Sequence, residues 1–215
     1  MDMLAARQQM VAQQIRTWEV LDPRVLDAMA AVPREVFVPP QFGELAFADT
    51  PIPIGFGQSM LAPSLQGRIL QALAVNAGDT VLEVGGGLGY LAACLSLLGA
   101  ATRSIDIHAG LVAAAALNLR SMQAKVELEV RDAFSAAPLG EFDAVAVTGS
   151  MPVYDPRFER ALKIGGRLFA IVGAAPVMDA VLVRRIDATE WIRESLFETV
   201  VEPLINALAA PKFVF

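Results

Sequence analysis

The 215-residue chain contains one cysteine, Cys94, and one histidine, His108. A lone cysteine cannot close a disulfide within the chain, and no Cys/His spacing of the zinc-site kind exists, so no disulfide framework and no metal centre are expected. Basic residues are sparse: their longest run is the pair Arg184-Arg185, the net charge is −6 and the isoelectric point is near 4.8. The electrostatic footprint that drives most nucleic-acid binding is missing, and small molecules or peptides are the expected partners. Charge vanishes altogether over the nineteen residues from Val84 to Thr102, which raises the question of a membrane span. That stretch opens on Gly85, Gly86, Gly87 and Gly89, leaving only Tyr90 to Leu98 as continuous helix material, so it reads as a buried helix and no membrane association is expected. The opening segment MDMLAARQQM has an acid at position 2 and no apolar run behind a basic start, which predicts neither a secretory signal nor a lipid anchor and hence a cytoplasmic location.

What the chain does have is apolar mass. Apolar residues make up 55% of it and charged residues 19%, a balance that excludes wholesale disorder, and the length suits one substantial domain. Residues 1 to 60 read as a helical cap with an active-site loop, laid on an α/β core formed by residues 61 to 215. In the cap, Leu4, Val11, Ile15 and Trp18 recur at helical spacing. LDPRVLDAMAAVP then offers Asp22 as N-cap, Pro23 as first helical residue and Pro33 as terminator.

From about residue 63 helical and strand patterns alternate. Leu65, Ile69 and Leu73 share a helix face, and strands are predicted at TVLEV, RSIDI, VELEV, FDAVAV and GRLFAIV, with helices at about Tyr90–Leu98, Ala109–Met122 and Pro156–Leu162. Strands that are apolar throughout, separated by helices, indicate a doubly wound, mostly parallel sheet covered on both faces. After Val172 the order changes: AVLVRRID, SLFETVV and the closing KFVF predict hairpin pairing at one sheet edge.

The segment VLEVGGGLGY carries the chemistry. A dinucleotide fingerprint needs G-x-G-x-x-G, but counting from Gly85 the third position is the bulky Tyr90. The spacing present is E-x-G-x-G-x-G, through Glu83, Gly85, Gly87 and Gly89, the pattern associated with S-adenosylmethionine. That cofactor has no pyrophosphate; it needs glycines for close backbone approach and acids to grip ribose and adenine. Asp106 ends the next strand, 21 residues after Gly85, where a carboxylate can accept both ribose hydroxyls, and Asp132 follows the third strand, within reach of the adenine amine.

A resemblance then covers nearly the whole chain. QQMVAQQIR, VLDAMAAVPREVFVP, FADTPIPIGFGQ, VLEVGGGLGY and FDAVAVTGS follow, in order and spacing, the protein-L-isoaspartate O-methyltransferase family. The resemblance implies a seven-stranded Rossmann-like methyltransferase fold, S-adenosylmethionine as donor, and methyl transfer to the free carboxylate of isoaspartyl residues in damaged proteins or peptides. It implies Glu83, Gly85, Gly87, Asp106 and Asp132 as cofactor positions, with Gln58, Gly86, Gly89, Ile107 and Ala133 beside them. Two segments depart from the family. Where it reads G-Q-T-I-S-x-P, this chain reads GQSMLAP: Ser59 keeps the first hydroxyl and is the candidate catalytic residue, but Leu61 stands in place of the active-site serine. In the glycine loop Gly86 replaces the usual threonine and Leu88 the usual serine. A different carboxylate or hydroxyl acceptor, or a cofactor-binding scaffold without turnover, therefore stays open beside isoaspartyl methylation.

The remaining chemistry-bearing side chains have plainer readings. His108 is expected as an exposed helix-start residue and Cys94, among apolar neighbours, as core. Trp18 and Trp191 are expected in the core, whereas Tyr154 and Asp155, after the fourth strand, are candidates for an acceptor pocket.

Overall fold

The computed structural model describes residues 2–209. The carboxyl-terminal KFVF, expected as a closing strand, lies outside them.

The amino-terminal cap starts at α1 (Met3–Met10), with the Asp2 carboxylate accepting from the Leu4 and Ala5 amides, and continues through a π-helical turn at Val11–Ile15 and a 3-10 turn at Arg16–Trp18. The wider π turn shifts the helical register. Met10 and Ile15, five residues apart, are fully buried, whereas Leu4 and Trp18 are 56% and 51% exposed, because the extra residue per turn rotates the apolar face away from the α-helical register. Helix α2 (Pro23–Ala31) begins on the Asp22 cap and ends where Val32, extended before Pro33, leaves helical geometry.

Next comes a hairpin that pattern reading passes over as loop: β1 (Ile52–Gly55) pairs antiparallel with β2 (Gln58–Met60). Its turn holds Gly55, Phe56 and Gly57 all at positive φ, which the flanking glycines permit at little cost. Helix α3 (Pro63–Leu73) follows, burying Ile69 and Leu73 as its spacing predicts. It packs so closely on the cap that a Cβ on Gly67 would come within 2.8 Å of the Ile15 side chain.

The core sheet has seven strands: β3 (Thr80–Val84), β4 (Ala101–Asp106), β5 (Val126–Val130), β6 (Phe142–Met151), β7 (Leu162–Ala174), β8 (Val177–Arg185) and β9 (Trp191–Thr199). They run in the order β5-β4-β3-β6-β7-β8-β9. All pairs from β5 to β7 are parallel; β7–β8 and β8–β9 are antiparallel, the hairpin-type edge expected from the change of pattern after Val172. Between the strands lie α4 (Tyr90–Leu97), α5 (Ala109–Ser121) and the single turn α6 (Arg157–Arg160).

The two faces are covered unequally. Residues of the cap, α3, α4 and α5 share one apolar cluster with Val81, Ala144, Ala146 and Phe169, while the opposite cluster, around Leu82, Val145, Val147 and Leu168, is closed by Phe158 of α6 and by loop residues such as Ala133 and Leu139. The strand order reverses direction between β3 and β6. Their carboxyl ends part there, leaving the crevice in which ligands of such sheets bind.

Candidate active site

At that crevice the backbone turns from β3 into α4 through the glycine loop. Gly85, Gly87 and Gly89 all adopt positive φ, at 86°, 54° and 92°, which residues with a Cβ rarely adopt. Each also has a packing reason. A Cβ on Gly85 would sit 2.7 Å from Thr148 Oγ1, and one on Gly87 3.1 Å from Ile54 Cδ1. Gly86, at ordinary φ, lies over the Ser104 hydroxyl, which any side chain there would meet.

Strand register explains what lies beneath the loop. Glu83 on β3 is paired with Ser104 on β4, so both side chains point to one face and the Ser104 hydroxyl donates to Glu83 Oε2. Glu83 is 1% exposed; burial pushes its carboxyl up to about 8, although the Ser104 hydrogen bond works in the opposite direction, and the nearby Asp106 charge adds to the rise. Burial therefore favours the protonated form of Glu83 beneath the loop.

Asp106, the last residue of β4, reaches back to the loop: Oδ2 accepts from the Gly87 amide at 3.0 Å and Oδ1 from the His108 amide at 2.8 Å. Each carboxylate oxygen retains a further lone pair for hydroxyl donors. Asp132, two residues beyond β5, accepts from the Phe134 amide at 2.8 Å and from Asn206 Nδ2 at 2.9 Å.

One cavity is lined by Gln58, Ser59, Glu83, Gly85, Gly86, Gly87, Asp106, Ile107, Asp132 and Ala133. Gly89 is not among its walls. It precedes α4 and faces α5, where a Cβ would meet Leu119 and Ala115 within about 3.3 Å, so this glycine serves helix packing. Tyr154 and Asp155 are also displaced from the acceptor pocket proposed for them. The Tyr154 hydroxyl donates to Glu159 at 2.6 Å beneath the Arg193 guanidinium, and Asp155 accepts from the amide and Nε of Arg157 at the start of α6. Both are spent on holding α6.

Other residues reach the cavity that pattern reading does not single out. Thr148 on β6 donates to the carbonyls of Val84 and Gly85 and so fixes the loop's first bend. The hairpin tip bends over the opening, with Phe56 stacked on His108 at 4.5 Å between ring centroids. His108 is thus half-buried on the cavity wall and not an exposed helix-start residue, and its Nε2 is buried with no hydrogen-bond partner. From the far end of the chain, residues 201–206 lie along β6: the Ser150 amide donates to the Glu202 carbonyl and the Leu204 amide to the Ser150 carbonyl, each at 2.9 Å. This brings Glu202, Leu204 and Ile205 to the cavity.

The Ser59 hydroxyl donates to Glu202 Oε1 at 2.7 Å. Its proton is therefore committed within the protein. Leu61 is 8% exposed and its carbonyl accepts from Arg34 Nη2 at 2.8 Å. Arg34 is fully buried and also donates to the Ala46 carbonyl at 3.0 Å and to Gln66, with its guanidinium over the Tyr90 ring at 4.9 Å. These bonds pin the segment after β2 against α3. Leu61, Val201 and Glu202 also border a second, larger groove, whose walls include Trp18, Leu65, Arg68, Met178 and Phe197. Trp18 thus belongs to a surface groove and not to the core; Trp191 is half-buried with its Nε1–H on the Glu159 carbonyl. Cys94 is fully buried, its thiol pushed up to about 12 by burial, which removes it as a nucleophile.

Residues 5–208 match the family model for protein-L-isoaspartate(D-aspartate) O-methyltransferase. The protein-L-isoaspartate O-methyltransferase of Methylorubrum populi is 40% identical over 170 residues, covering 79% of this chain and 80% of the relative. That of Koribacter versatilis is 36% identical over 202 residues, 93% and 90% of the two chains. Among solved structures, the beta-aspartate methyltransferase of Plasmodium falciparum in complex with S-adenosyl-L-homocysteine superposes with a TM-score of 0.82 at 18% identity, covering 92% of this chain and 97% of that one. At that identity the likeness speaks for the fold.

Proposed function

From the premise that this chain belongs to the protein-L-isoaspartate(D-aspartate) O-methyltransferase family, we propose that it is an S-adenosylmethionine-dependent O-methyltransferase acting on the free carboxylate of L-isoaspartyl residues in damaged proteins or peptides. The observation that carries this reading is the convergence of three parallel strand ends on one cavity, which shares Leu61, Val201 and Glu202 with a second, larger groove beside it.

The cavity suits the donor. Gly85 and Gly87 let the backbone approach its amino acid portion, Asp106 has lone pairs for the ribose hydroxyls, Asp132 takes the adenine amine, and His108 Nε2 is a buried polar atom still without a partner. Gln58, Glu83, Gly86, Ile107 and Ala133 complete the walls. S-adenosylmethionine, when bound, supplies a methyl group on a positively charged sulfur. The acceptor carboxylate is ionised at neutral pH, so the chain need supply no general base. It supplies alignment and the exclusion of water, through Ile54 and Phe56 of the hairpin and Leu204 of the carboxyl-terminal segment. In this reading residues 1–60 act as cap and active-site loop on a single catalytic unit. No helix among the described residues is long and apolar enough to cross a membrane.

A second reading keeps the donor and changes the acceptor. It is favoured by the absence of a hydroxyl at Leu61 together with the commitment of the Ser59 proton to Glu202.

Thermal unfolding with S-adenosylhomocysteine, combined with methyl transfer from labelled donor to an isoaspartyl peptide and its aspartyl twin, tests both. The product analogue should raise the melting temperature, because a ligand that binds only the native state stabilises it by mass action. Only the isoaspartyl peptide should take the label. Stabilisation by NADH and not by S-adenosylhomocysteine overturns the donor assignment. Labelling of cell-extract components but not of the peptide moves the case to the second reading.

A further inference from the structure

Of the residues that line both the donor cavity and the groove, Leu61, Val201 and Glu202, only Glu202 is charged, and the buried Arg34 guanidinium lies behind the Leu61 carbonyl at 2.8 Å. Glu202 borders both spaces, half-buried, with Oε1 held by the Ser59 hydroxyl at 2.7 Å. Around the mouth the walls are apolar: Leu61, Val201 and, further out, Leu65, Met178 and Phe197. The groove's one guanidinium, on Arg68, is bonded to the Trp18 carbonyl and to Glu19 and lies over the Phe197 ring at 4.3 Å. The remaining ionisable groups on its walls are Asp49, whose carboxylate accepts from the Ser64 amide, and the exposed Glu198. An incoming acceptor therefore meets a fixed carboxylate at the mouth, while the guanidinium exposed on the groove wall, that of Arg68, is already paired.

For an anionic acceptor this arrangement is discriminating. The isoaspartyl carboxylate must come up beside Glu202, and each further negative charge on the same segment adds repulsion across a partly desolvated mouth. A cationic side chain next to the isoaspartyl residue offsets it, and a peptide N–H flanking that residue has in Glu202 a charged acceptor, whose hydrogen bonds are stronger than neutral ones.

Resting on the reading of the chain as an isoaspartyl methyltransferase, we propose that Glu202 is a specificity-determining residue that selects isoaspartyl segments by the charge of their flanks, favouring basic neighbours and rejecting acidic ones. Ser59 is its positioning partner: the hydroxyl holds the carboxylate at the mouth and in doing so uses its single donor.

The test uses three isoaspartyl peptides that differ only in the residue following the isoaspartyl position, Lys, Ala or Asp, with kcat/KM measured at saturating donor for the wild type and Glu202→Gln. In the wild type the values should fall in the order Lys, Ala, Asp, with about a tenfold or greater gap between the extremes. Raising the salt from about 0.05 to 0.5 M should narrow the gap, because screening shortens to a few ångströms. In Glu202→Gln, which keeps the size and the acceptor oxygen for Ser59, the gap should close to within about twofold through a gain on the acidic peptide. An equal gap in both proteins, or no gap in the wild type, overturns the proposal. Failure of the wild type to methylate any of the three peptides, with S-adenosylhomocysteine binding intact, overturns the reading beneath it as well. Should Glu202→Gln lose the thermal shift with S-adenosylhomocysteine, Glu202→Asp takes its place. That variant retains the charge and should retain the order, and a scrambled order there also overturns the proposal.

Discussion

The two sides of the site are assembled from different reaches of the chain. On the glycine-loop side, Gly87 and Asp106 are 19 residues apart and Glu83 and Ser104 are 21 apart, the length of one strand-helix-strand unit. On the groove side, Ser59 and Glu202 meet across 143 residues, and the segment carrying Glu202 is held by bonds to Ser150. The first side is built by a local unit whose geometry follows from parallel pairing and crossover handedness. The second exists only when the cap, the hairpin and the chain's final described segment have all docked. Substitutions should therefore affect the two sides separately: groove-side changes should disturb the docking of the cap or acceptor rates while leaving donor binding in place, and loop-side changes should disturb donor binding or the pH dependence of stability.

The largest effect is expected at Arg34. Its guanidinium is fully buried among the Ala46 and Leu61 carbonyls and Gln66 without a carboxylate partner, so Arg34→Ala leaves three acceptors unpaired and a cavity behind. A loss of about 3–5 kcal/mol should be read from the denaturation midpoint. A loss below about 1 kcal/mol would show that the cap does not hold the segment after β2.

Glu83 gives the next effect, and it lies on the loop side. Its carboxyl is raised from 4.5 to about 8 in the folded protein, so the folded state binds a proton more tightly than the unfolded chain. Stability from this group is complete below about pH 4.5 and is lost as pH rises towards 8. Glu83→Gln, neutral throughout, should lack that component, a difference of roughly 4 kcal/mol across the window when ligand-free proteins are compared by denaturation at a series of pH values. Parallel pH profiles for the two proteins would mean that Glu83 is solvated in solution.

Asp106→Ala should remove most of the stabilisation by S-adenosylhomocysteine, which for the wild type is about 2.7 kcal/mol at a hundredfold excess over Kd. Ser59→Ala, on the other side, should leave it largely in place. Equal loss in both variants would erase the distinction between the sides.

The smallest effect is expected at Leu61. Leu61→Ser offers the acceptor a hydroxyl and should raise the isoaspartyl rate about tenfold, equivalent to roughly 1.4 kcal/mol, while lowering stability because a largely buried apolar side chain is lost. A rate unchanged or lowered, with donor binding intact, means that the groove is shaped for another acceptor.

What could be read in advance follows the same division. Glycine spacing, apolar strands and acids at strand ends are local signals, and a mostly parallel sheet with an antiparallel edge follows from the strand pattern; the order β5-β4-β3-β6-β7-β8-β9 comes from the structure. The hairpin at residues 52–60 was hidden by Pro53 and by a turn of three positive-φ residues, neither of which alternates like a strand. Glu202 had no legible signal, since a carboxylate after an apolar strand is most often solvated. Gly89 was misleading for the opposite reason: it completes a motif by spacing, yet the space that it leaves is filled by Leu119 and Ala115 of α5.

The sequence alone was enough for the parallel core, the glycine loop and the placing of Asp106 at the end of the neighbouring strand, because each depends on residues within one or two adjacent elements. Tertiary structure decided which face of the cap is buried, that His108 lies under Phe56, and that the Ser59 hydroxyl donates its hydrogen bond to Glu202. Those outcomes depend on a π turn that shifts the helical register and on segments far apart in the chain meeting at the end of β6, and no local pattern of residue types encodes either one.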